Sequence, residues 1–185
     1  MGQPGASNRG TARDILGMRQ TPGVACVFQV GDKVVYPMHG AGVIEAIEER
    51  EIQGRRQSYY IMRLPIGDMK VMIPVDGAPR VGLRQVIGEE ELQQLLAVLR
   101  AERTSMSTNW NRRYRANTEK LKTGDIFEVA EVVRNLTLRD QEKGLSTGER
   151  KMLDNARQIL VSELVLARGI DEPEANAILD RALLA

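Results

Sequence analysis

The stretch "VIEAIEEREIQGRRQSYYIM", residues 43–62, decides the fold, because its first half can be read in two ways. Helix propensity alone allows a helix through "VIEAIEEREIQ". Gly54 would end that helix early, however, and the β-branched residues favour a strand. Read as strands, "EIQGRRQ" becomes the tip of a long hairpin, with Gly54 supplying the turn. Working outward, short apolar or alternating runs surround the hairpin: "KVVYP", "AGVIEAIEE", "SYYIMRL", "MKVMIPV" and "VGLRQVI". They are separated by "VGDK", "MHGAG", "IQGRR", "PIGD" and "DGAP". Five short strands with glycine or proline turns predict a small antiparallel β-barrel over residues 26–88.

From residue 89 the apolar period becomes helical. Leu92, Leu95, Leu96 and Leu99 fall at i, i+3, i+4 and i+7, behind the acids Glu89 to Glu91, which suit a helix N-terminus. A second helix is expected from an N-cap near Thr108 to the break at Thr123 and Gly124, and a third with Ile126, Val129, Val133 and Leu136 on one face. "STGERKMLDNARQILVSELVLARG" opens with Ser146 and Glu149 at capping-box spacing and closes on Gly169. A final short helix tolerates Pro173 in its first turn. The expected class is therefore α+β, with the barrel followed by a compact helical domain of four to five helices over residues 89–185. Residues 1–25, rich in glycine, proline and small polar residues, are expected to form a flexible tail.

Composition narrows the chemistry. The chain has 185 residues with 26 basic and 25 acidic side chains, so a polyanionic partner must be recognised locally if at all. The single cysteine, Cys26, and the single histidine, His39, give no basis for a disulfide, a zinc cluster or a cysteine–histidine nucleophile. His39, beside glycine in "PMHGAG", reads as a turn residue. No enzyme activity, metal or other cofactor is expected, and no run is apolar enough for a membrane span or a signal core. A "GxxxxGK[ST]" phosphate loop is absent from the sequence.

Local charge is uneven. Between Thr104 and Lys122 stand five basic residues, Arg112, Arg113, Arg115, Lys120 and Lys122, against the one acid Glu119. Cations are disfavoured at a helix N-terminus, yet that end presents free N–H groups to an anion such as phosphate. The only tryptophan, Trp110, opens this segment in "STNWNRRYRAN". It packs into a core with Tyr114 and Leu121 on its helical face, or it projects into a nucleic-acid groove as a wedge while the arginines hold phosphates. Spacing leaves both readings open.

Three motifs, "VGDKVVYPMHGAGVIEAI", "NWNRRYRANTEKLKTGDIFEVAEVVRNL" and "RDQEKGLSTGERKMLDNARQILVSEL", resemble the CarD/CdnL family of bacterial RNA polymerase-binding transcription regulators. The resemblance runs from about residue 27 to the C-terminus. It implies a Tudor/SH3-like barrel that binds the RNA polymerase β subunit and a helical domain that contacts promoter DNA at the upstream edge of the transcription bubble, stabilising the open complex. It also implies that Trp110 is the wedge, with Asn109, Arg112, Arg113 and Arg115 around it and Arg150 and Lys151 as a second DNA contact. On the polymerase side it implies Arg50 and Met72, with Val71, Met72 and Ile73 on a strand whose edge pairs with the β subunit. A cytoplasmic monomer without small-molecule substrate is the accompanying expectation. The competing class is a protein-only adaptor that makes no DNA contact.

Overall fold

The computed structural model describes residues 28–184. The expected tail, residues 1–25, and Cys26 lie outside the described residues. Five strands come first: β1 Lys33–Tyr36, β2 Gly40–Ile52, β3 Arg55–Leu64, β4 Met69–Pro74 and β5 Arg84–Gln85. Five helices follow: α1 Glu89–Arg100, α2 Trp110–Thr123, α3 Ile126–Lys143, α4 Thr147–Arg168 and α5 Glu172–Leu183. The class is α+β, as the alternation and the helical periods predict.

The stretch 43–62 is a hairpin. Gln53 and Gly54 both take positive φ (53° and 76°), the backbone demanded by a two-residue turn that matches the twist of its strands. Its register runs from Ile52 opposite Arg55 to Val43 opposite Arg63, with a bulge between Ile44 and Ala46. All pairings in the sheet are antiparallel, in the order β4-β3-β2-β1-β5. The predicted barrel closure is absent among the described residues. The two-residue β5 pairs only with β1, so the sheet stays open and β4 forms its other edge.

One face of the sheet buries Val34, Ile44, Tyr60, Met62 and Ile73 in a small core that also takes in Phe28, Leu64 and Leu83. A larger core lies among the helices and contains the four predicted leucines of α1 together with Ile126, Val129, Val133 and Leu136 of α3. The helix ends follow local chemistry. Ser146 and Glu149 form the expected capping box at α4, which stops at Gly169 in the left-handed conformation. Pro173 is in the first turn of α5 behind the cap Asp171. At α2 the cap is Asn109 rather than Thr108: its side chain accepts from the N–H of Arg112 at 3.1 Å.

Helix α4 joins the two cores. Ser162 Oγ accepts from the N–H of Ala41 in β2 at 2.8 Å and donates to the carbonyl of Ile159. The adjacent Gly40 has φ of 101°, and a Cβ there would stand 2.6 Å from Ser162 Oγ, so only glycine lets the strand approach so closely. The next residue of α4, Glu163, is fully buried and receives Arg84 from β5. Lys33 Nζ of β1 reaches the carbonyl of Leu166 at 2.8 Å, adding a third link along the same helix.

Candidate nucleic-acid interface

Two helix N-termini converge on Trp110, at the start of α2 and of α4. The indole stacks on Tyr114, one turn further along, with centroids 5.2 Å apart and planes 24° from parallel. Its Nε1–H donates to Ser146 Oγ, the cap of α4, at 2.9 Å. Gly148 in the first turn of α4 lies beside the ring: a Cβ there would make an ordinary contact with Trp110 Cζ2 at 3.6 Å. Even so, Trp110 remains 43% exposed, so the ring is held on one side and open on the other. A rigid aromatic edge beside two sets of free N–H groups can stack on a planar base while anionic groups settle at the helix ends.

Beneath the ring lies a buried ion pair. Arg113 Nε donates to Glu149 Oε1 at 2.6 Å, and both side chains are almost fully buried. Arg113 Nη1 also donates to the carbonyls of Ser107 and Thr108, which fixes the approach to α2. Arg113 therefore does not join the phosphate-facing group proposed for it from sequence. It heads a stripe formed by Arg113, Asn117 and Leu121, all buried, at i, i+4 and i+8. That spacing from Leu121 was the signal in the sequence. The arginine's role is to clamp α2 onto α4 and so to hold the ring above it.

Burial works against the charge of Glu149, but hydrogen bonds from Arg113 and from the backbone and hydroxyl of Ser146 outweigh it, holding the carboxyl below the ordinary value of 4.5. A carboxylate with a depressed folded pKa contributes stability that is complete above its unfolded value and is lost as pH falls through the folded one. The contribution should thus be whole above about pH 4.5 and disappear on acidification below it. Since Trp110 is the only tryptophan, its fluorescence reports on this network directly. An acid titration of the wild type should show a step that Glu149→Gln lacks, and equal titrations for both proteins would reject the assignment.

The other predicted residues divide cleanly. Arg112, Arg115 and Lys151 are exposed and form no ion pair among the described residues. Arg150 is exposed but tied to Asp140 by two hydrogen bonds of 3.1 and 3.0 Å. Asn109 is occupied as the cap of α2. Tyr114, Ser146 and Gly148 complete the surroundings of the ring. The i+4 spacing points to Tyr114, whereas a separation of 36 positions between Trp110 and Ser146 hides the second contact.

On the sheet, Met72 is 44% exposed on edge strand β4, Val71 is half-buried and Ile73 is buried in the small core. Alternation puts the side chain of Ile73 inside, so it offers a partner no side-chain contact, which corrects the expectation for that residue. Arg50 is exposed on β2 and paired with Glu48 at 2.6 Å. Arg50 faces Gln57 and Met72 faces Ile61, so the two lie on one face but four residues apart along β3, about 13 Å. His39 stacks on Tyr36 with centroids 4.5 Å apart, in the turn between β1 and β2. No helix among the described residues is long and apolar enough to cross a membrane.

An open antiparallel sheet followed by a helical unit defines a two-part, α+β class of chain. Comparison with known proteins places it further. Residues 28–87 match the CarD-like/TRCF RID domain and residues 94–180 match the CarD C-terminal domain. The candidate transcription factor YdeB of Bacillus subtilis (strain 168) is 45% identical over 151 residues, covering 82% of this chain and 99% of that protein. Among solved structures, CdnLNt from Myxococcus xanthus is 42% identical over 40% of this chain and 97% of its own, with a TM-score of 0.30. The solution structure of the 72-residue N-terminal domain of Myxococcus xanthus CarD is 28% identical over 38% of this chain and 93% of its own, with a TM-score of 0.29. The chain belongs to the CarD-like family, and its role is that of a transcription regulator.

Proposed function

We propose that the protein bridges RNA polymerase and promoter DNA, with residues 26–88 facing the polymerase β subunit and residues 89–185 facing the upstream edge of the transcription bubble. The observation that carries the reading is Trp110: a half-exposed indole, locked by Tyr114 and Ser146 at the junction of two helix N-termini. A wedge whose rotamer is already fixed loses little side-chain entropy on insertion. Unstacking a duplex step costs a few kcal/mol, so the wedge favours DNA that has already opened and shifts the closed-to-open equilibrium toward the open complex. Arg112, Arg115 and Lys151 are free to hold phosphates around it. Arg150 can exchange Asp140 for phosphate at small cost, because an exposed ion pair is worth little. On the sheet, the edge of β4, unpaired among the described residues, supports docking by strand addition with Met72 on its open face, while Val71 shares the inward face of Ile73 and is half-buried against the small core; Arg50 extends the surface on the side of Met72.

The test is the lifetime of the open complex with polymerase alone, with the wild type and with Trp110→Ala. The wild type should lengthen the lifetime and the variant should lose most of the gain. Binding to fork DNA should weaken with salt at a log–log slope of about −2.7 if the three free cations each neutralise one phosphate. A protein-only adaptor would bind polymerase, leave the lifetime unchanged and show no salt-dependent affinity for DNA.

A further inference from the structure

Both helices that hold Trp110 are anchored at their other ends to one side chain of the sheet. The indole stands at the first residue of α2, and Arg84 Nε in β5 donates to the carbonyl of Gly124, the residue that ends α2, at 2.9 Å. Its hydrogen-bond partner Ser146 caps α4, and further along that helix Glu163 receives Arg84 Nη1 and Nη2 at 2.7 and 2.9 Å. At 1.5 Å per residue the two spans are about 21 Å along α2 and about 26 Å along α4. Arg84 thus closes a triangle whose far corner is the wedge. A planar guanidinium with five donors can serve both acceptors together, whereas a lysine ammonium cannot match that fork.

The joint is tight as well as bonded. Gly124 lies against Pro37 in the turn between β1 and β2: a Cβ on it would be 2.6 Å from Pro37 Cγ, and its φ is 73°. Glu163 Oε1 also accepts from the N–H of Ile87 at 2.9 Å, tying the segment after β5 to the same carboxylate. We propose that Arg84 is a positioning residue that fixes Trp110 relative to the sheet, so that docking of the sheet on its partner sets the depth and angle of the wedge. The inference rests on the bridging function proposed above. It assigns that function a residue far from both contact surfaces, where loss of the joint would leave docking intact and uncouple it from the wedge.

Two variants test the joint without stranding a buried charge. Arg84→Met combined with Glu163→Gln removes the guanidinium and neutralises its partner, while the glutamine still accepts from Ile87. Gly124→Ala keeps every ion pair and pushes the end of α2 off Pro37. In a Cys26→Ser background, spin labels at Lys70→Cys on β4 and Ala116→Cys on α2 report the sheet-to-helix distance by pulsed electron resonance. Unlabelled proteins are assayed for open-complex lifetime and for affinity to a β-subunit fragment, each below its own unfolding transition. Both variants should broaden or shift the distance distribution and reduce the lifetime gain about fivefold, with affinity for the β fragment unchanged. An unchanged distribution, or an altered one with a wild-type lifetime, overturns the role of Arg84. Should the wild type itself give no lifetime gain, the bridging function fails, and the distance distribution still decides whether Arg84 fixes the helices on the sheet.

Discussion

Arg113→Met is expected to lower the stability of the protein by about 3–5 kcal/mol, the usual cost of leaving one member of a buried ion pair without the other. Glu149 would still accept from the hydroxyl of Ser146 and would have Arg139 3.8 Å away as a long ion-pair partner, but it would lose the 2.6 Å contact that balances its burial. For a chain of this length that corresponds to a fall in melting temperature of about 10 °C. The carbonyls of Ser107 and Thr108 would also lose their donor, loosening the entry to α2 and the ring above it. Adding Glu149→Gln should recover much of the loss, since the second change removes the stranded charge; a double-mutant cycle measures the coupling. The salt slope of DNA binding should not change with Arg113, because it neutralises no phosphate. A stable Arg113→Met protein with a shallower slope would return Arg113 to the phosphate-facing group.

Glu163→Ala is expected to be comparably costly, about 3–5 kcal/mol, for a different reason. The carboxylate is fully buried and accepts from three donors: two nitrogens of Arg84 and the N–H of Ile87. Truncation leaves a cavity and unsatisfied donors where α4 meets β5, and the partly exposed Arg84 recovers only some of its hydration. Chemical denaturation should show the fall in midpoint, and Glu163→Gln should lie between the alanine variant and the wild type because it keeps one acceptor for Ile87. Equal stability of the wild type and Glu163→Ala would mean that the contact between sheet and helices contributes nothing to folding.

The strands, the helices and the capping box of α4 were legible because each depends on neighbours in sequence. Gly54 needs only Gln53 beside it to make the hairpin turn, and the Ser146–Glu149 capping box closes within one helical turn. The period of Leu92, Leu95, Leu96 and Leu99 places them in the core whatever they meet there. Legibility failed where two distant segments had to meet. Barrel closure depends on β4 reaching β5, and no local pattern states that β5 stops after two residues bound only to β1. The core position of Ile73 follows from alternation once the register is known, so treating Val71, Met72 and Ile73 as one surface overlooked the pleat of the strand.

The opposition between a core tryptophan and an exposed wedge dissolves in the structure, since Trp110 is packed on one side and open on the other. By itself the sequence determined the α+β class, the run of short strands followed by four to five helices, and the cluster of arginines around a single tryptophan, all set by propensity, period and spacing over a few residues. Only the tertiary structure decided which of those arginines face solvent. Arg113 and Arg112 are neighbours with the same chemistry, but a helix turns 100° between them and Glu149, 36 residues beyond Arg113, waits on one side alone. The same holds for Arg84, an unremarked residue in a two-residue strand until packing brings Gly124 and Glu163 within reach of one guanidinium. Charge identity is written in the chain, and charge availability is settled by what folds against it.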